Sequence, residues 1–380
     1  MLPMSCKCAS AATILLALIS IIVLSACPKP QGDRPTNGNG SKPPAGSIRI
    51  GVVAPLTGEG ATYGASMKRG FDLAFKEEPR FTLVYEDDKL SPSGGVTALN
   101  KLISADKVKV VLGSAASSVT LAMAPIAESN KVILFSTIST SDDLRKSGEY
   151  FFRNVPRNEV QGFTGAEFLY NHLKKRTVAI VKKNDEYGTN LSTSFKSKFE
   201  ELGGKVVFEE AYTPSTKDFR AIIAKVKKQK PDAIYTPGNY EEVASFLKQL
   251  TEAKVTLPIL GGDGSYSPEL IKIAGNAAEG FYVTMMTVGQ TDYYTKFKEQ
   301  FVSTYNRDPD VYDAYAYEAG KIIMQTIDAV GNDATKIRDY LLSTTFDSVT
   351  GPLKFDADGE VDRKYGVLQV RGSKFIEVDW

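Results

Sequence analysis

KVKVVLGSAASSVTLAMAPIAESNKVILFSTISTS, residues 107–141, sets two short apolar runs on either side of an amphipathic segment. Residues 108–112 form a short, β-branched apolar run closed by Gly113. Val119, Ala122, Met123 and Ile126 then share one helical face within 119–129, and a second apolar run follows at 132–135. The order is strand, tight loop, helix, strand. Both strands end in small hydroxyl residues: Ser114, Ser117 and Ser118 after the first, Ser136, Thr137, Ser139 and Thr140 after the second. In an open parallel sheet the carboxyl ends of neighbouring strands face one crevice, so these two loops should converge. Hydroxyls and amides beside a helix N-terminus, with its free N–H groups, make a seat for a small anion. No general base stands nearby in the sequence, which points to holding a guest and not to reacting with it.

The alternation runs outward from there. Strands are predicted at 48–53, 81–86, 177–181, 205–211, 233–236, 259–260 and 280–284, with helical spacing at 67–75, 160–173, 191–202, 219–228 and 243–250. Alternating strands and helices argue an α/β fold with parallel sheets covered on both faces. Nine strands in 380 residues suggest two sheets and two domains of ordinary size. The break is expected at 153–159, where FFRNVPRNEV interrupts the pattern. After residue 284 come long helices at 293–305 and 312–330 and hairpin-like segments at 346–355 and 366–378. If those helices return to the first lobe, the chain crosses between lobes more than once, which makes a hinge and a cleft that can shut.

The N-terminus differs in character. Lys7 precedes an apolar segment at 11–24, too short to span a bilayer and suited to the core of a signal peptide. It ends in Leu24-Ser25-Ala26-Cys27, which resembles a bacterial lipobox, so residues 1–26 are expected to be removed and Cys27 lipidated. Five prolines and four glycines between Pro28 and Ser47 cannot bury a core, so 27–47 is expected to be a tether. Cys6 and Cys8 leave with the signal, and Cys27 then has no disulfide partner. Lys7 is one of 46 basic residues, leaving 45 against 45 acidic ones. That balance offers no bulk field for nucleic acid.

Three further loops complete the pattern: Pro55-Leu56-Thr57-Gly58-Glu59-Gly60-Ala61-Thr62-Tyr63-Gly64, Asn184-Asp185-Glu186-Tyr187-Gly188 and Gly261-Gly262-Asp263-Gly264-Ser265-Tyr266-Ser267-Pro268. Together with the 113–120 loop and GPLKFDADGE at 351–360, they resemble, in matching order, the type I periplasmic solute-binding proteins, specifically the leucine/isoleucine/valine receptors of ABC importers. The resemblance implies two Rossmann-like lobes joined by a multi-strand hinge, one of residues 48–157 plus 287–364 and the other of 158–286 plus 365–380. It implies a monomeric, periplasmic or cell-surface receptor, anchored through Cys27, that passes a free amino acid to an inner-membrane permease without cofactor or catalysis. Carried over residue by residue, the carboxylate seat falls on Ser117, Ile138, Ser139 and Thr140, and the ammonium partner on Asp263. Aromatic walls fall on Tyr63, Tyr187 and Tyr312, with one more at Asn239 or Tyr240. Ile138 stands where the family has a small residue, and the family disulfide is absent.

Physical chemistry arrives at the same residues. A free amino acid needs its ammonium donors and carboxylate oxygens satisfied out of water, by an acid at one end and by hydroxyls and amides at the other. Blander roles compete for each position: Asp263 as a turn residue, Ser117 and Thr140 as helix caps, the tyrosines as packing. Another small carboxylate or amide is the alternative ligand. A dinucleotide enzyme is the rival class, since Gly58, Gly60 and Gly64 lie between a strand and a helix and Glu86 ends the next strand. His172, the single histidine, is expected in solvent, and the 85–89 cluster YEDDK is read as a strand-end loop before it is read as a cation site.

Overall fold

A computed structural model describes residues 46–289 and 291–380. The signal segment, Cys27 and all but the last two residues of the tether lie outside the described residues. Strands β1 (Ile48–Ala54), β2 (Phe81–Asp87), β3 (Val110–Gly113), β4 (Ile133–Ser136) and β5 (Phe151–Arg153) form a fully parallel sheet in the order β2-β1-β3-β4-β5. Helices α1 (Ala61–Phe75), α2 (Pro92–Ser104) and α3 (Ser117–Ser129) connect the first four of these strands. The buried line of α3 is Val119, Met123 and Ala127, one step round from the stripe expected from the sequence. It packs with Leu99, Leu102, Val111 and Leu134 on one face of the sheet.

The second sheet contains β6 (Thr177–Lys183), β7 (Lys205–Tyr212), β8 (Ala233–Thr236), β9 (Ile259–Gly261) and β10 (Tyr282–Met286), all parallel to their neighbours. Helix α4 (Asn158–Glu167) enters it, and α5 (Glu186–Glu201), α6 (Arg220–Gln229), α7 (Tyr240–Glu252) and α8 (Pro268–Ala274) link its strands. From β10 the chain runs through α9 (Asp292–Tyr305), α10 (Val311–Val330) and α11 (Ala334–Ser343), then a short antiparallel pair, β11 (Thr345–Phe346) and β12 (Leu353–Lys354). It returns as an antiparallel hairpin, β13 (Tyr365–Arg371) and β14 (Lys374–Glu377), which extends the second sheet along β10.

Helix α10 packs on α1, so the chain leaves the second sheet for the first and comes back. Buried ion pairs hold these passes: Arg153 with Glu360 at 2.7 Å, and Arg363 with Glu318 at 2.8 Å. Glu318 also accepts from Asn154, Ser348 and Thr350, so its charge is fully engaged.

Three departures from the sequence reading have local causes. The edge strand β5 is not among the expected strands, and its last residue, Arg153, is the first of the expected break at 153–159. Helix α2 was not anticipated, because its Gly94 and Gly95 argue against helix; Ser91 caps it by accepting from Gly94, and Pro92 sits in the first turn where no donor is needed. The helix expected over 160–173 ends as α-helix at Glu167 and continues as one wider turn, Phe168–His172. His172 is exposed there, stacked on Phe168 at 5.1 Å.

Candidate functional site

Strand order selects the site. In the first sheet the chain winds outward on both sides of β1 and β3, and in the second on both sides of β6 and β8; crevices open at such reversals, beyond the carboxyl ends of the strands. Tyr63 follows β1, Ser117 follows β3, Tyr187 follows β6 and Asn239 follows β8, and all four line one cavity of about 320 Å³. That volume suits a small ligand. Ile138 and Thr140 after β4, Asp263 after β9 and Tyr312 on α10 line the same cavity. Seven of the eight expected ligand-binding residues thus meet in one place. Ser139 does not line it; its hydroxyl bonds Thr120 at 2.8 Å and the Ser114 carbonyl at 3.0 Å, tying the two seat loops together from behind.

On the first-sheet wall, Ser117 opens α3, and its Oγ accepts from the Ser141 backbone N–H at 3.2 Å. Thr140 is buried, and its hydroxyl has no hydrogen-bond partner among the described residues. Arg153, fully buried, donates to the Ser139 and Ser141 carbonyls at 3.2 and 2.8 Å and so fixes the loop that carries Thr140. Sequence reading assigned Arg153 to the break and gave it no role here; a lone arginine after two phenylalanines was the available signal.

On the opposite wall, Asp263 is 2% exposed. Its Oδ1 accepts from Tyr187 Oη at 2.8 Å and Gln161 Nε2 at 2.9 Å. Burial pushes the carboxyl up to about 6, although both of these hydrogen bonds favour its charged form. Among the described residues no basic side chain pairs with it to relieve that burial. Gln161, on α4, was missed in the sequence; a glutamine on the inner face of a helix was the only sign. Gly262 makes room for the arrangement, since a Cβ there would lie 2.3 Å from the Tyr187 hydroxyl.

The tyrosines close the remaining sides. Tyr63 donates to the Gly264 carbonyl, and Tyr312 to the Asp263 carbonyl at 2.7 Å. Tyr63 meets Tyr312 edge-on at 5.7 Å and Tyr240 at 5.3 Å, while Asn239 lines the cavity, so the two candidates for the fourth aromatic position divide the role. Such rings present apolar area with one polar tip.

The competing signals resolve elsewhere. Glu86 pairs with Lys101 and does not line the cavity, leaving no acid at a ribose position. Asp87 closes its own loop, accepting from the Leu56 and Lys89 N–H groups, and Asp88 accepts from Leu90 N–H and the Ser114 hydroxyl. Among the described residues no cluster of acids, histidines or cysteines is arranged to hold a metal.

Comparison with known proteins agrees with this geometry. The model of the family described as periplasmic binding protein matches residues 47–374. A Leu/Ile/Val-binding protein homolog from Brucella abortus is 30% identical over 327 residues, covering 82% of this chain and 87% of the relative. The crystal structure of a leucine binding protein from Thermotoga maritima superposes with a TM-score of 0.84 at 29% identity, over 87% of this chain and 98% of that one. A solute binding protein from R. palustris in complex with benzoate shares the fold at 22% identity, with a TM-score of 0.80 over 88% and 96% of the two chains.

Proposed function

The chain belongs to the periplasmic binding protein family, a family of extracytoplasmic binding proteins and not of enzymes, and on that premise we propose that it closes on a free aliphatic amino acid and delivers it to an ABC permease. The observation that carries this reading is Asp263: a buried carboxylate with no cation paired to it among the described residues, lining the same cavity as the hydroxyls of Ser117 and Thr140. An α-ammonium supplies the missing charge, and the α-carboxylate takes the hydroxyls and the α3 N-terminus. Tyr63, Ile138 and Tyr312 then offer apolar faces to an aliphatic side chain, where burial of a leucine-sized group stabilises by about 1.5 to 3 kcal/mol.

Closure follows in this reading from residues 48–157 plus 287–364 moving against 158–286 plus 365–380. The receptor works as a monomer held to the membrane by lipid on Cys27. Among the described residues no helix is long and apolar enough to cross a membrane. Asp263→Ala is expected to weaken leucine binding at least a hundredfold by calorimetry, since about 3 kcal/mol or more is lost when a desolvated ammonium has no partner. Unchanged affinity rejects the assignment. A ligand with a carboxylate or an amide and no ammonium, such as benzoate or acetamide, does not need Asp263, and binding of such a compound that survives Asp263→Ala selects that alternative.

A further inference from the structure

Resting on the amino-acid reading above, we propose that the cavity has a second polar end, built by Lys183, and that beside aliphatic side chains it admits one ending in an uncharged hydrogen-bond acceptor. Lys183 is the last residue of β6, is 4% exposed and lines the same cavity as Asp263. Its backbone is pinned: the N–H donates to the Pro237 carbonyl at 2.9 Å, and its carbonyl packs so closely on Gly188 that a Cβ there would come within 2.3 Å. The strand end therefore holds the side chain in place.

The ammonium is poorly served. It lies 3.6 Å from Asp185 Oδ2 and 3.5 Å from Glu242 Oε1, beyond the usual N–H···O range. Both acids are engaged by the backbone. Asp185 caps α5 by accepting from the Gly188 N–H at 2.8 Å, and Glu242 accepts from the Ser215 N–H at 3.2 Å. Among the described residues the ammonium makes these two long ion pairs and no hydrogen bond, so a ligand acceptor can take one of its donors. Two carboxylates beside one ammonium make the local field net negative. An amide or hydroxyl oxygen can take the donor there, whereas a ligand carboxylate meets repulsion.

Leucine, asparagine and aspartate test this, because their side chains have nearly the same shape and differ in being hydrocarbon, amide and carboxylate. Each is titrated by calorimetry into the purified full chain and into Lys183→Met. The wild type is expected to bind asparagine at least tenfold more tightly than aspartate, and Lys183→Met to lower the asparagine-to-leucine affinity ratio at least tenfold. A ratio within twofold of wild type overturns the proposal. The wild-type ranking is a test that does not depend on the variant folding: leucine binding without asparagine binding, or aspartate bound as tightly as asparagine, removes the second polar end alone. Binding of none of the three removes the amino-acid reading with it.

Discussion

Asp263 is the residue on which ligand binding and protonation meet. Its carboxyl holds a proton up to about pH 6 in the ligand-free protein, against an ordinary value of 3.8. A raised folded value means the ligand-free fold is favoured below the unfolded value and loses that advantage as pH climbs through about 6, by up to about 3 kcal/mol at 1.36 kcal/mol per unit. Only the ionised form pairs with an ammonium. Leucine affinity should therefore be level above pH 7 and fall toward tenfold per unit below about 6, with a proton released on binding in that range. Calorimetry from pH 4.5 to 8 in buffers of different ionisation enthalpy checks both effects; a flat profile removes Asp263 from the ammonium site. Thr140 offers the complementary case, a buried hydroxyl with no partner among the described residues. Thr140→Val should leave the unfolding free energy within about 0.5 kcal/mol, because no intramolecular bond is lost. Leucine affinity should nevertheless drop about tenfold, one hydrogen bond to a charged group.

At the scale of elements, α10 shows how a helix terminus serves a site. Asp310 accepts from the Asp313 N–H at 2.9 Å, and the Asp313 carboxylate returns the contact to the Asp310 N–H at 2.8 Å, a reciprocal cap. Arg69 of α1 pairs with both carboxylates, and Ser66 donates to Asp310. The first turn fixed in this way carries Tyr312, whose hydroxyl holds the Asp263 carbonyl. Asp310→Ala should lower stability by about 1 to 2 kcal/mol in urea unfolding, the loss of a cap together with its helix-to-helix contacts. It should weaken leucine binding as well, because Tyr312 would lose its fixed position. An unaltered urea midpoint would show that α1 alone holds the α10 N-terminus. Elements were also where sequence reading failed in an informative way. The α2 glycines fit because Gly95 sits under Val119, where a Cβ would come within 2.3 Å, so close packing of α2 on α3 decides what propensity argued against.

On the scale of the whole molecule, the two sheets are joined across the cavity by direct bonds. Tyr63 reaches Gly264, Thr62 donates to Tyr240 at 3.2 Å, Ser215 donates to Glu59 at 2.7 Å, and the Asp142 N–H donates to Asn190 at 3.1 Å. On the proposed reading a ligand touching both walls stabilises this arrangement over an open one, and binding and closure are expected to form one equilibrium. Leucine should reduce the radius of gyration in small-angle scattering and raise the melting temperature, with about 2.7 kcal/mol of stabilisation at a hundred times the dissociation constant. A radius of gyration unmoved by saturating leucine would separate binding from closure.

Apart from the edge strand β5, the parallel strands of both sheets were legible in the sequence because short β-branched runs bounded by glycine and polar residues have few other uses. The convergence of Ser117 and Thr140 was legible too, because each follows a strand and parallel strands deliver their carboxyl ends to one edge, whereas Asp263 was placed there by the family resemblance. Tertiary structure alone decided which member of each loop faces the cavity. Ser139 and Thr140 are adjacent and chemically similar, yet the backbone held by Arg153 turns one into the lobe and leaves the other on the cleft wall. It also decided the company of the charges: that Asp263 is buried without a cation, that Gln161 supports it from a different helix, and that Lys183 lies beyond bonding distance of its acids. Periodicity records which face of an element is buried, whereas desolvation and hydrogen-bond distance depend on neighbours a hundred residues away in the chain, and only the packed molecule brings those together.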